Sequence, residues 1–295
     1  MISIVIPLYN KEKNISSTLQ CILNQTFQDF EVVIVDDGST DKSVEIVKNI
    51  DDNRIKLYQK KNGGVSSARN YGIKKAKYEY VAFLDADDYW ESNYLEELVK
   101  MINDFPEAGM WGFGFGEMFS NEKISNSNNS GFRGIIPNYW ISRPSGACWT
   151  SSSSIKKEVF DVVGYFDERI KYGEDIDMWY RVLLNFPVAF NSQVLAYYRQ
   201  DAENRAMHKE IQLQDFLPYY IEKYAEYRRK NKDFRIYFDH EMLGRLYPYF
   251  LKDRRNEDIR RILKQIDLSE QKLSYRVKFR FPEMFEFYKS IRCSE

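Results

Sequence analysis

The sequence predicts an α/β fold in which a mostly parallel, Rossmann-like sheet is flanked by helices and followed by a helical subdomain. Four apolar, β-branched segments, each followed by a helical pattern, lie within about the first 100 residues. Strands that alternate with helices in this way predict parallel pairing with right-handed crossovers. After residue 201 glycine almost vanishes and the pattern becomes helical. We therefore predict two domains, 1–200 and 201–295.

The four predicted strands are short apolar runs, which are typical of strands buried on both faces. Their ranges are 2–8, 31–35, 54–58 and 80–84. A helical pattern follows each of them. The second of these helices carries a cap signal, because Ser39, Thr40 and Asp41 offer side-chain oxygens to its first backbone N–H groups.

The middle of the chain adds a less regular set of predicted elements. A helix at 91–103 precedes a glycine- and aromatic-rich segment at 109–119 that predicts another strand. The remaining predictions are a strand at 151–155, a short helix at 156–163, a helix from Gly173 to about Asn185 and a strand at 194–198. The last of these strands closes the α/β part.

Composition excludes several classes of function. Lys and Arg total 43 against 44 for Asp and Glu, a formal net charge of −1, so no long-range positive field attracts nucleic acid. Hydrophobic residues make up 43% and aromatic residues 16%, which is too rich in core formers for a disordered chain. No stretch approaches the roughly 20 apolar residues of a membrane-spanning helix. We expect a folded, globular protein that binds no nucleic acid.

The N-terminal segment and the cysteines indicate a cytoplasmic protein. Residues 1–9 form an apolar run with no cationic leader and no cleavage site, so we expect no signal peptide. Cys21, Cys148 and Cys293 are odd in number and far apart, which argues against a disulfide framework or a zinc cluster. We expect three reduced thiols.

Polar side chains follow the first, second and fourth predicted strands. Tyr9 and Asn10 follow the first strand, Asp36 and Asp37 the second, and an Asp85-Ala86-Asp87-Asp88 run the fourth. The carboxyl ends of parallel strands lie at one edge of a sheet, where such sheets bind ligands. The sequence therefore predicts a ligand site at this edge.

Each acidic cluster has a structural and a functional interpretation. Asp85 and Asp87 could share a Mg²⁺ or Mn²⁺ ion that binds phosphate, or they could belong to a capping run before a helix. One carboxylate of Asp36 and Asp37 could accept a hydrogen bond from uracil or ribose, or both could cap the next helix. Arg69 could anchor the base, the diphosphate or Asp85. Taken singly, these motifs leave both interpretations open.

The order of the motifs along the chain is more specific than any one of them. The chain resembles the inverting family 2 glycosyltransferases of the GT-A fold, including those that build bacterial surface glycans. The resemblance covers about residues 2–198. Its motifs are Ile4 to Asn10, Val35 to Asp41, Ser67-Ala68-Arg69-Asn70, Phe83 to Asp88 and Gly173-Glu174-Asp175.

The resemblance implies a role for each motif. It places a nucleotide, a divalent cation and a catalytic base at the predicted sheet edge, with Mn²⁺ or Mg²⁺ as the cofactor. The implied nucleotide-binding residues are Pro7, Tyr9, Asn10, Asp36, Asp37, Arg69 and Asp85, with Tyr9 stacking on uracil. The implied metal ligands are Asp87, Asp85 and, after the last strand, His208, which could equally be a surface residue.

The resemblance also implies that Asp175 is the catalytic base, with Glu174 beside it. A nucleoside diphosphate leaves as an anion and needs a cation more than a proton donor, so one base suffices. Asp175 would remove the proton of an acceptor hydroxyl as that oxygen attacks the anomeric carbon from the opposite face. Asp177 ranks below Asp175, and helix capping by acids remains the alternative.

We therefore expect a cytoplasmic enzyme that transfers a sugar from a nucleoside diphosphate donor, with a UDP-sugar as the expected donor, to a hydroxyl of a glycan or lipid-linked acceptor. The alternative is a scaffold of the same fold that binds nucleotide sugar or glycan without turnover. Residues 252–295 contain 12 basic and 8 acidic side chains, so this tail could touch an anionic inner leaflet or be an ordinary solvated face. The aromatic tail could also form a homodimer contact.

Overall fold

The computed structural model describes residues 1–120, 122–124, 131–142, 147–202 and 211–283. It divides into two compact units, Met1–Glu210 and Ile211–Glu295. The predicted His208 and Cys293 lie outside the described residues.

The first unit is built on one mixed sheet. Its strands are β1 (Ile2–Leu8), β2 (Phe30–Asp36), β3 (Ile55–Gln59), β4 (Tyr80–Phe83), β5 (Tyr89–Trp90), β6 (Met110–Phe119), β7 (Glu122–Ile124), β8 (Arg133–Ile135), β9 (Ser153–Lys156) and β10 (Val188–Arg199). Their order is β3-β2-β1-β4-β9-β6-β10-β5, with β7 paired to β6 and β8 paired to β10.

The sheet has two halves with different pairing. In β3-β2-β1-β4 every pairing is parallel, as the repeat of strand and helix predicts. Strand β9 then enters antiparallel between β4 and β6, while β6 and β10 pair in parallel. The α/β fold class is confirmed, and the parallel repeat is the half that the sequence periodicity describes.

Seven helices accompany the sheet among the described residues of this unit. They are α1 (Ile15–Leu23), α2 (Ser43–Lys48), α3 (Val65–Lys75), α4 (Tyr94–Asp104), α5 (Tyr139–Ser142), α6 (Val159–Val163) and α7 (Glu174–Asn185). One buried cluster joins α1 and α4 to one face of the sheet through residues such as Ile4, Leu19 and Leu98. A second cluster joins α3 and α7 to the other face through Val5 and Trp179.

Helix α3 lies unusually close to β1. A Cβ atom at Gly72 would come within 2.5 Å of Cγ1 of Val5 and 3.4 Å of Cγ2 of Val35. Such a contact forces a neighbouring side chain or the helix to move. The absent side chain therefore sets the distance between α3 and the parallel strands.

The second unit is helical over its described residues, apart from short connections. A 3₁₀ segment at Leu217–Tyr224 precedes α8 (Ala225–Lys230), α9 (Lys232–Lys252), α10 (Glu257–Leu263) and α11 (Leu273–Arg280). Its core is aromatic, with Tyr224, Phe234 and Phe238 fully buried. A buried ion pair between Arg228 Nε and Asp239 Oδ1, 2.7 Å long, links α8 to α9.

None of the helices that the structure describes is long and apolar enough to span a membrane.

Candidate active site

The carboxylates after β2 form hydrogen bonds and an ion pair that stabilise the loops around them. Asp37 is buried, and its carboxylate accepts hydrogen bonds from the backbone N–H groups of Gly63 and Gly64, the latter at 2.7 Å. Lys60 Nζ lies 2.6 Å from Asp37 Oδ1. Gly64 has a φ of +89°, a conformation that favours glycine. The predicted ligand Asp37 therefore ties the loop before α3 to the end of β2.

The ends of β1 and β2 are also joined. The Ser39 N–H donates to Asp36 Oδ1 at 3.0 Å, and the Thr40 N–H donates to Asn10 Oδ1 at 2.8 Å. Asn10 has a φ of +50°, which asparagine tolerates better than most residues. Tyr9 beside it has 43% of its surface exposed and is free to stack on a planar ligand. Pro7 is half-buried within β1.

Arg69 is the central cation of the site. It extends from α3, is buried, and donates from one terminal nitrogen to Asp85 Oδ1 at 2.8 Å and from the other to Glu174 Oε1 at 2.9 Å. Its guanidinium also lies 5.5 Å from the centre of the Phe166 ring. One side chain thus joins the loop after β4 to the first residue of α7.

Asn70, next to Arg69, anchors the segment that precedes α7. Its amide nitrogen donates to the Phe166 carbonyl at 2.9 Å and to Glu168 at 3.0 Å, and its amide oxygen accepts from the Phe166 N–H at 2.9 Å. Arg69 and Asn70, which are adjacent on α3, therefore both hold segments at or just before the start of α7.

Asp87 lies beside Asp85 on the loop after β4 and forms an ion pair with Lys11. The distance between Lys11 Nζ and Asp87 Oδ2 is 2.5 Å. Burial raises the pKa of Asp87, the ammonium of Lys11 opposes that rise, and the charge of Asp85 adds to it. The loop therefore concentrates negative charge and holds a cation against it.

Asp88 is a structural acid rather than a surface one. It is buried, its Oδ2 accepts from the Ser151 hydroxyl at 2.5 Å, and its Oδ1 accepts from the Arg199 N–H at 3.2 Å. Ser151 also accepts from the Asp85 N–H at 3.1 Å. Burial and the nearby Asp87 and Asp85 hold the pKa of Asp88 well above its usual range.

The start of α7 brings Glu174 and Asp175 to the same region. Gly173 precedes them with a φ of +78°. Burial and the charge of Asp175 raise the pKa of Glu174 to about 7, against the lowering effect of Arg69. Asp175 is half-buried, and Thr150 Oγ1 donates to its Oδ2 at 3.2 Å.

Asp177 has a different environment although it lies only two residues further on. It is fully buried and accepts from Nε and a terminal nitrogen of Arg181, at 3.0 and 2.8 Å. Arg181 in turn donates to the carbonyls of Gly164 and Tyr165. Asp177 thus holds Arg181 within α7, and Arg181 joins the helix to the preceding turn.

The donor set of the loop after β4 fits a hard divalent cation. Asp85 and Asp87 are two neighbouring carboxylates, and the ammonium of Lys11 already occupies a cation position against one of them. Within the described residues, no three or more His, Cys, Asp or Glu side chains are grouped to hold a metal. A cation here would need further oxygens from phosphate or water.

Several residues of this region are not predicted by the sequence patterns. Lys11, Thr150 and Ser151 were not among the predicted site residues, yet they contact Asp87, Asp175 and Asp88. A lysine next to Tyr9-Asn10 and four consecutive serines at 151–154 were the available signals. Their partners are 25 to 76 residues away in the chain, so no local pattern identifies them.

Comparison with known proteins agrees with the resemblance. The family model described as glycosyl transferase family 2 matches residues 3–164, more than half of the chain. The chain is 29% identical over 211 residues to an uncharacterized glycosyltransferase of Rickettsia typhi, covering 66% of this chain and 62% of that protein. It is 30% identical over 229 residues to glycosyltransferase GlyG of Streptococcus pneumoniae, covering 68% and 71%.

Other curated relatives are matched over a shorter part of their length. An uncharacterized glycosyltransferase of Haemophilus influenzae is 44% identical over 105 residues, which is 35% of this chain and 42% of that protein. The chain therefore spans less than two thirds of the length of the Rickettsia typhi and Haemophilus influenzae proteins.

Solved structures share the fold. Residues 1–349 of S. aureus TarS, crystallised with UDP-GlcNAc, superpose with a TM-score of 0.78 at 20% identity, covering 100% of this chain and 92% of that one. The same region of TarS with UDP gives a TM-score of 0.61.

Proposed function

Because the chain belongs to glycosyltransferase family 2, we propose that it transfers a sugar from a nucleoside diphosphate donor to an acceptor hydroxyl with inversion at the anomeric carbon. The donor we propose is a UDP-sugar. The acceptor we propose is a glycan or lipid-linked oligosaccharide of a surface polysaccharide under construction.

One observation carries this proposal. Arg69 joins Asp85, on the loop with the proposed metal ligands, to Glu174, which begins the helix with the proposed base. A glycosyl transfer needs its leaving-group site and its base within reach of one anomeric carbon. A buried guanidinium that holds both loops supports such a shared site.

In the proposed mechanism Asp175 is the general base. Thr150 and the Ile176 N–H donate to its two carboxylate oxygens and orient them. Asp175 accepts the proton of the acceptor hydroxyl while that oxygen attacks the anomeric carbon from the face opposite the diphosphate. Glu174 is bound to Arg69 and positions the start of α7 beside it.

We propose that Asp85 and Asp87 hold Mn²⁺ or Mg²⁺ together with the donor phosphates. When bound, the cation stabilises the negative charge of the leaving diphosphate. His208, outside the described residues, stays a candidate third ligand. The exposed ring of Tyr9 supports stacking on a base, and Asp36, Asp37, Asn10 and Pro7 form the surrounding strand ends.

The test of the base is Asp175→Asn. We expect turnover to fall by about 10³-fold, the range of general base catalysis, with UDP affinity unchanged. Asp161→Asn is the matched control, since Asp161 is an exposed acid in the first turn of α6. Unchanged turnover in Asp175→Asn would reject this base. A wild-type protein that binds UDP and never turns over would instead be the non-catalytic scaffold.

The test of donor and metal is a thermal-shift screen of UDP, GDP, dTDP and CMP with and without Mn²⁺. We expect a Mn²⁺-dependent shift of several degrees with UDP, because ligand at about 100 times its Kd stabilises by roughly 2.7 kcal/mol. Asp87→Ala should lose the shift, while Asp51→Ala, at an exposed turn, should keep it. A shift that survives in Asp87→Ala would reject the metal site.

We also propose that the protein works in the cytoplasm, against the inner face of the plasma membrane. The excess of basic over acidic side chains in 252–295 supports this location. Co-sedimentation with anionic but not neutral vesicles would test it. A homodimer formed by the second unit stays a prediction, which light scattering after size-exclusion chromatography would measure.

A further inference from the structure

A cavity lies beside α1. It has a volume of about 310 Å³. Its polar lining comes from α1, β5, β7 and β10 and comprises Ser17, Gln20, Asn24, Tyr89, Lys123 and Arg199.

This cavity is on the opposite face of the sheet from the proposed base. Cys21 and Trp90, which line the cavity, belong to the buried cluster on the α1 face, whereas Trp179 of α7 belongs to the cluster on the other face. Side chains alternate between faces along β10. Tyr197 points to the α1 face, where it meets Tyr89 with ring centres 6.3 Å apart. Arg199 follows Tyr198 and so shares the face of Tyr197.

Arg199 is a buried cation without a matching anion. Only 7% of its surface is exposed. Its Nε donates to the Asp87 carbonyl at 3.1 Å, and among the described residues its two terminal nitrogens have no hydrogen-bond partner and no ion pair. These nitrogens open onto the cavity, so an anion there would supply the ion pair that Arg199 lacks among the described residues.

Lys123 brings a second cation to the same cavity. Its Nζ lies 4.5 Å from the ring centre of Tyr89 and 5.2 Å from that of Tyr197. It also lies 2.8 Å from Glu91 Oε1, which balances only one of the two positive charges. The side-chain amides of Gln20 and Asn24 offer uncharged donors on the α1 side.

We propose that this cavity binds a tetrahedral oxyanion, a phosphate group, through Arg199 and Lys123. Two cations and several neutral donors around one space match the charge and the many acceptor oxygens of a phosphate. The group could be free phosphate or the phosphate of a sugar ester, which share this chemistry. The site would lie behind the loop of Asp85 and Asp87, apart from the donor.

The experiment titrates sulfate, a tetrahedral oxyanion probe, into the full chain by calorimetry at constant ionic strength, with Mg²⁺ present and with and without excess UDP. We expect one binding site, weakened at least about tenfold in Arg199→Gln and in Lys123→Gln. Arg54→Gln is the control, since the guanidinium of Arg54 is fully engaged by Asp52 and Gln28, and we expect its affinity to be unchanged.

The outcomes separate the alternatives. Absence of sulfate binding, or equal binding in all variants, would overturn the proposal. Binding that is lost when UDP is added would also overturn it, because Arg199 would then serve the donor diphosphate. If Arg199→Gln does not fold, Lys123→Gln and Arg199→Lys decide, the latter retaining binding because it keeps the charge.

Two further titrations identify the source of the phosphate. Glucose 1-phosphate binding more tightly than sulfate would indicate a sugar ester, and equal affinity would indicate the free ion. Acetate binding more tightly than sulfate would reject a phosphate site.

Discussion

The carboxylates of two acidic turns at the same edge of the sheet are stabilised by different kinds of partner. At the end of β2, Asp36 and Asp37 accept hydrogen bonds from backbone N–H groups of nearby loops, and the cation beside Asp37, Lys60, belongs to the same loop as Gly63 and Gly64. At the end of β4, Asp85 and Asp87 face the cations Arg69 and Lys11, which come from other elements.

The difference separates acids that build loops from acids that bring elements together. A carboxylate bonded to backbone N–H groups fixes the shape of its own turn. A carboxylate paired with a distant cation fixes the position of a second element, and it can exchange that cation for another. We therefore expect changes at the β4 turn to act on ligand binding and on long-range packing, and changes at the β2 turn to act on loop structure.

The largest expected effect is that of Arg69→Met. Removing this buried cation leaves Asp85 and Glu174 without their partner, so we expect the free energy of unfolding to fall by about 3–5 kcal/mol in urea denaturation. Arg54→Met is the control, because the pair of Arg54 with Asp52 is partly exposed, and it should cost less than about 1 kcal/mol. Equal losses of unfolding free energy in the two variants would contradict a larger stabilising contribution from the Arg69 ion pairs.

The next effect is the pH dependence conferred by Glu174. Its pKa is about 7 in the folded protein against an ordinary 4.5, so the folded state binds this proton more tightly than the unfolded state. Its contribution to stability is therefore greatest below pH 4.5 and is lost as the pH rises to about 7, at roughly 1.4 kcal/mol per unit of pKa difference.

Denaturation of wild type and Glu174→Gln across this pH range measures that contribution. The variant should gain stability relative to wild type as the pH rises. A difference that stays constant with pH would contradict a raised pKa at Glu174.

A smaller effect is expected for Asp37→Asn. Loss of charge weakens the hydrogen bonds from Gly63 and Gly64, which should cost about 2 kcal/mol and speed hydrogen exchange of the two amides. Asp87→Asn is the matched substitution at the other turn and should leave those amides protected while abolishing Mn²⁺-dependent UDP binding. If both variants alter amide protection, or both alter UDP binding, the proposed difference between the two turns is wrong.

The smallest expected effect on stability is that of Lys11→Met. Each side chain of its ion pair with Asp87 is only 14% exposed, but the raised pKa of Asp87 lets this carboxyl take up a proton once the ammonium is removed, so we expect a loss of about 1 kcal/mol. Removal of the competing ammonium should tighten Mn²⁺ binding roughly fivefold, measured by electron paramagnetic resonance without nucleotide. Lys42→Met, at an exposed lysine, should leave the affinity unchanged, and unchanged affinity in Lys11→Met would contradict competition.

The sequence predicts the parallel half of the sheet well because its signals are local. Apolar runs and helical periodicity place β1 to β4 and their helices within a few residues. The two-residue strand β5 and the three-residue strands β7 and β8 were not predicted, since segments so short carry no usable periodicity. The predicted strand at 194–198 is longer in the structure, beginning at Val188.

The candidate site is predictable by residue type and not by pairing. Aspartates after strands indicate a ligand edge, but nothing local distinguishes Asp37, bonded to glycine N–H groups, from Asp87, bonded to a lysine 76 residues away. The same limit applies at α7, where Asp175 and Asp177 are near neighbours and only the position of Arg181 makes one of them structural.

The close approach at Gly72 makes the position of Arg69 depend on a residue without a side chain. Gly72 lies one turn after Arg69 on α3, and the contact with Val5 fixes how deeply that helix sits. A single methyl group there would clash with Val5, and any movement of α3 that relieves the clash would carry the Arg69 guanidinium with it while every charge in the protein is preserved. In a survey of random substitutions, Gly72 would therefore tolerate as little change as a residue that touches the substrate. The cause would be the distance between α3 and β1, not a chemical role of the residue.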